Sequence, residues 1–333
     1  MKNLHRKLFG GATVLAVASL ALAGCSAEPA PSDDGTDPAF ETVNIEIGVV
    51  PVVDVASIYL GVQEGFFEEQ GLNVNINIGT SGAAVIPSVV SGQYTFGFSN
   101  MVSLLQANDQ GLPLTIIAPG SASTATEGAD VTMIEVDPAS GIKRARDLEG
   151  KKVTVNALNG LAQMLASIAI TEDGGDPSTV TWVELPFPDE LPALRSGQVD
   201  AMVGSEPFGS AAIAEGFEAI STPYLAMSDE PIVTSAYYTS DAQLEANPEL
   251  FERISAAISK SLEYAGDNPD AVRGIVPEFS GLTPEQAEGI TLCTFRPDLP
   301  EASIDLFAKY TLEYGIIKNK VSYDDLVWSK VPR

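Results

Sequence analysis

The chain has 333 residues, 45% of them apolar and 19% charged, with a formal net charge of −27. That length suffices for two domains and a large core, and a surface so negative repels nucleic acid and anionic lipid. The single histidine is His5 and the cysteines are Cys25 and Cys293, which excludes Ser-His-Asp and Cys-His nucleophile systems and histidine-ligated metal sites from the body of the chain.

Met1 to Lys7 is basic, and Leu8 to Ala23 is a 16-residue run of mostly apolar and small residues. A bilayer span needs roughly 20 such residues, so residues 1–24 read as a signal peptide. Lys2, Arg6 and Lys7 are its only charges, and without it the −27 of the whole chain becomes −30. Leu22-Ala23-Gly24-Cys25 resembles a bacterial lipobox, with Cys25 as the lipidated residue. Residues 25–41 are rich in Pro, Asp and small residues and read as a disordered tether. Cys293 is then alone, with no intrachain disulfide expected, and reads as a small apolar core residue.

The globular part opens with a strand, Val43 to Val49. Asp54 follows where it would cap a helix carrying Ile58, Val62 and Phe66 on one face; a ligand contact by the same carboxylate fits equally. Gly65 to Gln70 closes that helix, and Leu72 to Ile78 alternates apolar and polar residues as a strand does. The turn Gly79-Thr80-Ser81-Gly82 leads into an apolar helix, Ala83 to Val90, ended by Ser91-Gly92. A buried strand, Tyr94 to Phe98, stops at Ser99-Asn100, and a helix and the strand Leu114 to Ala118 come next. Strands alternating with helices imply an α/β fold with mainly parallel sheets. In such sheets ligands sit beyond the carboxyl ends of the strands, where this chain places small polar residues.

Ser121 to Asp130 is small and polar and marks the edge of a first lobe. Further strands are expected at Val131 to Val136, Val153 to Val155, Thr181 to Leu185 and Val199 to Val203. Lys143, Arg144 and Arg146 read as solvated surface. Asn159-Gly160 opens a helix with Leu161, Leu165 and Ile168 on one face, and a short helix carries Leu191 and Leu194. Ser91-Gly92-Gln93 precedes an apolar strand just as Ser196-Gly197-Gln198 does, 105 residues further on (92 to 197). Two lobes of similar topology are therefore expected, residues 42–125 with 232–333 and residues 126–231. Pro231 to Thr239 is a strand that returns the chain to the first lobe. Helices follow, opened by Asn247-Pro248, Asn268-Pro269 and a capping box at Thr283 to Gln286, and a last one runs from Glu301 to Tyr314.

Gly65 to Val74, Ser91-Gly92-Gln93, Asp147 to Val153 and Glu206-Pro207-Phe208 carry a resemblance by their order and spacing. The chain resembles ABC-transporter solute-binding lipoproteins of the nitrate, taurine, aliphatic-sulfonate and thiamine-pyrimidine class over nearly all of residues 43–330. The resemblance implies a type II periplasmic-binding-protein-like fold, with two α/β lobes joined by two hinge crossings. It implies a monomer on the outer face of the cell membrane, anchored through Cys25, that hands a small solute to an ABC permease and its ATPase without cofactor or metal. Implied ligand contacts are Asp54, Ala56, Thr80, Ser81, Gly82, Ala83, Ser99 and Asn100 in the first lobe. In the second they are Asn156, Asn159, Gly160, Phe187, Glu206 and Phe208. The same fold also hosts enzymes of pyrimidine and menaquinone biosynthesis, so catalysis is a competing class, and a sensor feeding a membrane receptor is a third.

No Lys or Arg occurs between Cys25 and Ile142, and Arg195 falls on a solvent face. A sulfonate or nitrate would rest on helix N-termini at Ser81-Gly82-Ala83 and Asn159-Gly160, opposed by Asp54 and Glu206. Two carboxylates beside Phe187, Phe208 and Tyr237 or Tyr238 better suit a neutral or cationic pyrimidine-like ligand.

Overall fold

The structure is a computed structural model, and it describes residues 41–333. The signal peptide, Cys25 and nearly all of the tether lie outside the described residues. The described residues form twelve strands: β1 (Val43–Val49), β2 (Leu72–Ile78), β3 (Phe96–Asn100), β4 (Leu114–Pro119), β5 (Ser121–Ala122), β6 (Thr132–Val136), β7 (Lys152–Val155), β8 (Thr181–Glu184), β9 (Ala201–Ser205), β10 (Glu218–Ser221), β11 (Ser235–Ser240) and β12 (Thr294–Phe295).

Ten of these build two five-stranded sheets of identical topology. The first runs β2-β1-β3-β11-β4, and the second, read from its other edge, runs β8-β7-β9-β6-β10. Each sheet is parallel except for one strand, β11 in the first and β6 in the second. The 105-residue repeat is visible in the backbone. The helix Gly82–Val90 and strand β3 have counterparts 105 residues later in the helix Phe187–Arg195 and strand β9. Gly92 and Gly197 end the two helices with φ of 75° and 68°, a left-handed conformation that glycine adopts without steric cost.

The period-two pattern of β2 has a physical reason. Its asparagines face the polar side of the sheet edge, where Asn75 and Asn77 Nδ2 donate to Glu46 Oε2 at 2.7 and 2.8 Å. Buried apolar residues of β1, β3 and β4 form the core of the first lobe with the 20-residue helix Pro248–Asp267, whose Phe251, Ile254, Ile258 and Leu262 lie at helical spacing. A second apolar cluster lies in the other lobe around Ile134, Val153, Val155 and Val203, while Met164, Leu165, Leu191 and Met202 of that lobe join the first.

The chain crosses between the lobes twice, after β4 and after β10, and the crossings pair with each other. Ser123 N–H donates to Ile232 O at 2.9 Å and Thr234 N–H to Ser121 O at 2.8 Å. Among the described residues no helix is long and apolar enough to cross a membrane.

Candidate functional site

The carboxyl edges of both sheets face one cleft. The first lobe contributes Val50, Val52, Asp54, Gly82, Phe98 and Asn100, and the second contributes Asn156, Leu161, Ala162, Phe187 and Ser205. The crossings supply the floor with Val131, Thr132, Tyr224, Thr234 and Ser235. The void is about 50 Å³, room for roughly four waters.

Five of the expected contacts line this cleft: Asp54, Gly82, Asn100, Asn156 and Phe187. Nine stand behind or beside it. Ala56 and Ser99 are fully buried. Ser81 caps its helix, accepting from Ala84 N–H at 3.2 Å, while Thr80 and Ala83 face solvent. Asn159 is exposed, bent into a left-handed turn with φ of 54°, and Gly160 is buried beneath it. Phe208 is buried behind Phe187, the rings parallel within 5° and 6.2 Å apart. Glu206 is buried at the junction of the lobes. Tyr237 and Tyr238 are core residues rather than cleft aromatics, because β11 is a central strand covered on both faces.

Asp54 is not a helix cap. It lies in the short turn Val53–Val55, and the following helix, Ala56–Gln63, begins without a side-chain cap. The carboxylate points to the crossings instead, where Ser121 Oγ and Ser235 Oγ both donate to Oδ1, the latter at 3.3 Å. Burial raises its pKa against those hydrogen bonds, and the nearby Asp130 raises it further. Asp130 is itself held by Thr124 and Val131 N–H groups at 2.9 and 2.8 Å. Tyr224 feels burial first and then both carboxylates, which push its hydroxyl well above the usual range. Among the described residues, Asp54 is the one carboxylate that lines the cleft, and no Lys or Arg lines it.

Asn100 caps the helix Met101–Asp109, accepting from Ser103 N–H at 3.0 Å. Ser235 pairs with Asn100 across β11 and β3, and Thr132 pairs with Ser205 across β6 and β9. The two antiparallel strands therefore bring their amino ends to the edge where their parallel neighbours end. A rule about carboxyl ends predicts Asn100 and Ser205 but misses Thr132, Thr234 and Ser235. Tyr224, in the turn Pro223–Ala226, has no periodic signal around it.

Elsewhere, Arg195 pairs with Glu215 and Arg144 with Asp173 on the surface, away from the cleft. Among the described residues no cluster of His, Cys, Asp or Glu could hold a metal ion. Cys293 is buried, and burial pushes its thiol far up, which makes it inert.

The sequence profile of the NMT1/THI5-like family matches residues 52–272. The chain belongs to that family. Relatives within reach of the NMT1/THI5-like chain include a formylaminopyrimidine-binding protein of Halalkalibacterium halodurans, 27% identical over 192 residues, covering 57% of this chain and 54% of that one. A 4-amino-5-hydroxymethyl-2-methylpyrimidine phosphate synthase of Aspergillus parasiticus is 23% identical, covering 65% and 64%. The chain thus spans between about half and two thirds of the length of these relatives. Among solved structures, the alkanesulfonate-binding protein SsuA of Xanthomonas axonopodis pv. citri, bound to MOPS, superposes with a TM-score of 0.72 at 17% identity, covering 86% of this chain and 99% of that one. The nitrate-binding protein NrtA of Synechocystis gives 0.71 at 12% identity, covering 86% and 84%. These neighbours establish the two-lobed fold of periplasmic binding proteins.

Proposed function

We propose that this protein captures a neutral or cationic pyrimidine-like solute outside the cytoplasm and hands it to an ABC permease, tethered to the membrane through a lipidated Cys25. The observation that carries the ligand class is the cleft wall: one carboxylate, Asp54, set among Phe98, Phe187 and Tyr224 with amide and hydroxyl groups around it and no cation. An aromatic ring fits between such walls, and a ring amine or protonated ring nitrogen can donate to Asp54. A sulfonate or nitrate meets no positive side chain there and must approach a carboxylate. The pyrimidine chemistry in the names of the relatives supports the same class.

A second reading, catalysis, is favoured by one finding: synthases stand among the family relatives. Against it, among the described residues the cleft lining holds no Lys, His or Cys to act as nucleophile or base. We therefore read the protein as a binder.

The test is a thermal-shift and native mass-spectrometry screen with aminopyrimidines against nitrate, taurine and MOPS. An aminopyrimidine at a hundredfold excess over its dissociation constant should stabilise the fold by about 2.7 kcal/mol. Binding of the anions alone refutes the ligand class; turnover of a bound pyrimidine refutes the binder.

A further inference from the structure

Glu206 is where the two lobes are tied together. Its N–H donates to Val131 O at 2.9 Å, and its carbonyl accepts from the Val53 N–H of the first lobe at 2.9 Å. Its side chain leads across the junction a second time. Ser210 Oγ donates to Glu206 Oε1 at 2.7 Å, and Thr291 N–H, from the carboxy-terminal helical part of the chain, donates to that Ser210 Oγ at 3.3 Å. The residue is 1% exposed, and its Oε2 has no hydrogen-bond partner among the described residues.

Its surroundings are short of positive charge. Glu135 on β6 faces it, and Glu190 on the helix Phe187–Arg195 faces Glu135 in turn, both fully buried. From the first lobe come Val53 and Thr291, which carry no charge, with Asp54 beside Val53 turned to the crossings. The groups that lower its pKa are the hydroxyls and amides of Ser210 and Thr291, not cations.

We propose that Glu206 is a proton-operated latch on the cleft: with its carboxyl protonated the lobes stay joined through Ser210 and Thr291, and loss of the proton releases them. A carboxylate anion in this place would be dry, held by the polar groups of Ser210 and Thr291 without a cation, and set beside other acids. Opening the lobes lets water reach it, so the anion favours the open form. Burial pushes the pKa up to about 7 from the ordinary 4.5. Closure therefore takes up a proton. It is fully favoured below the open-state value, weakens as pH rises towards 7, and stays at its lower level above that. Full hydration on opening would make the two limits differ by up to ~300-fold in the closing equilibrium. The latch rests on the hinged-cleft reading above, but its test needs no solute.

Small-angle X-ray scattering of the full chain without solute, from pH 5 to 8, reads the closure directly. The wild type should have a larger radius of gyration at pH 8 than at pH 5, with the change complete by about pH 7. E206Q should stay compact throughout, because an amide accepts from Ser210 without titrating. S210A, which cuts the path to Thr291, should be expanded already at pH 5 and should lose most of the pH step. A wild-type radius constant from pH 5 to 8 overturns the latch, as does an E206Q step equal to that of the wild type. D54N should keep the step; if it abolishes it, the titrating group is Asp54 and the latch is wrong. Failure of every aminopyrimidine to bind would refute the proposed ligand and leave this result standing.

Discussion

Glu190 offers a direct test of the electrostatics of the second lobe. It sits at 0% exposure on the helix Phe187–Arg195, and neither carboxyl oxygen has a hydrogen-bond partner among the described residues. Burial holds its pKa well above the usual 4.5, which favours the neutral carboxyl over the anion. A neutral but unpartnered buried polar group costs about 1–3 kcal/mol. Methionine has nearly the same length, fills such space readily and has no strong polar atom to leave unpaired. Glu190→Met should therefore stabilise the protein by about 2 kcal/mol, a rise in Tm of roughly 4 °C for a chain of this size. The pH dependence gives a second check. A folded-state pKa above the unfolded one means that the contribution of Glu190 is fully present below the unfolded value and lost as pH rises through the folded value. The advantage of the variant should thus be larger at pH 9 than at pH 5. Thermal melts at the two pH values decide the matter: a lower Tm for E190M, or a gap that shrinks as pH rises, refutes the reasoning.

Asp54→Asn should weaken aminopyrimidine binding by about 10-fold or more, the value of a hydrogen bond to a charged group, read by calorimetric titration. Gly97→Ala should cost ~1–3 kcal/mol in urea unfolding, because the added Cβ would stand 2.8 Å from Tyr238 Oη and 2.9 Å from Val85 Cγ1. Asn100→Ala removes a helix cap and should lower stability by about 1 kcal/mol, while also loosening solute binding at the cleft. For the whole protein, Asp54, Asp130, Glu135, Glu190 and Glu206 all have raised pKa values. Their joint contribution is complete at acid pH and declines as pH rises through the folded-state values, so Tm should fall between pH 5 and pH 8.

Much of the architecture was legible because it rests on local signals. Glycines past helix ends, asparagine before proline and the Thr283 to Gln286 capping box each specify a helix boundary without help from the rest of the chain, and the box forms as written, with Gln286 N–H donating to Thr283 Oγ1 at 3.3 Å. Strand boundaries were less exact: the pattern starts β3 at Tyr94 and β9 at Val199, and the ladders begin at Phe96 and Ala201, since pairing rather than side-chain type decides where a strand starts. The cleft lining was legible only at some positions. Asp54, Asn100 and Asn156 stand out as polar residues at the ends of apolar runs, whereas Ser121 and Ser235 hold Asp54 from 67 and 181 residues away. Contacts that distant depend on which strand inserts between which, and no window of sequence carries that information. Glu206 shows the reverse: a carboxylate after an apolar strand reads as a ligand group, and the fold places it buried at the lobe junction.

The placement of β11 has a consequence for how the protein is made. It lies between β3 and β4, yet it is synthesised after every strand of the second sheet has been completed. As the chain leaves the ribosome, β3 and β4 must wait with a gap between them for more than a hundred residues, while the inserted lobe, continuous from β6 to β10, has all it needs to fold. Truncation before residue 235 should therefore leave a folded second half attached to an unfinished first one, its two central strand edges open to pairing with other chains.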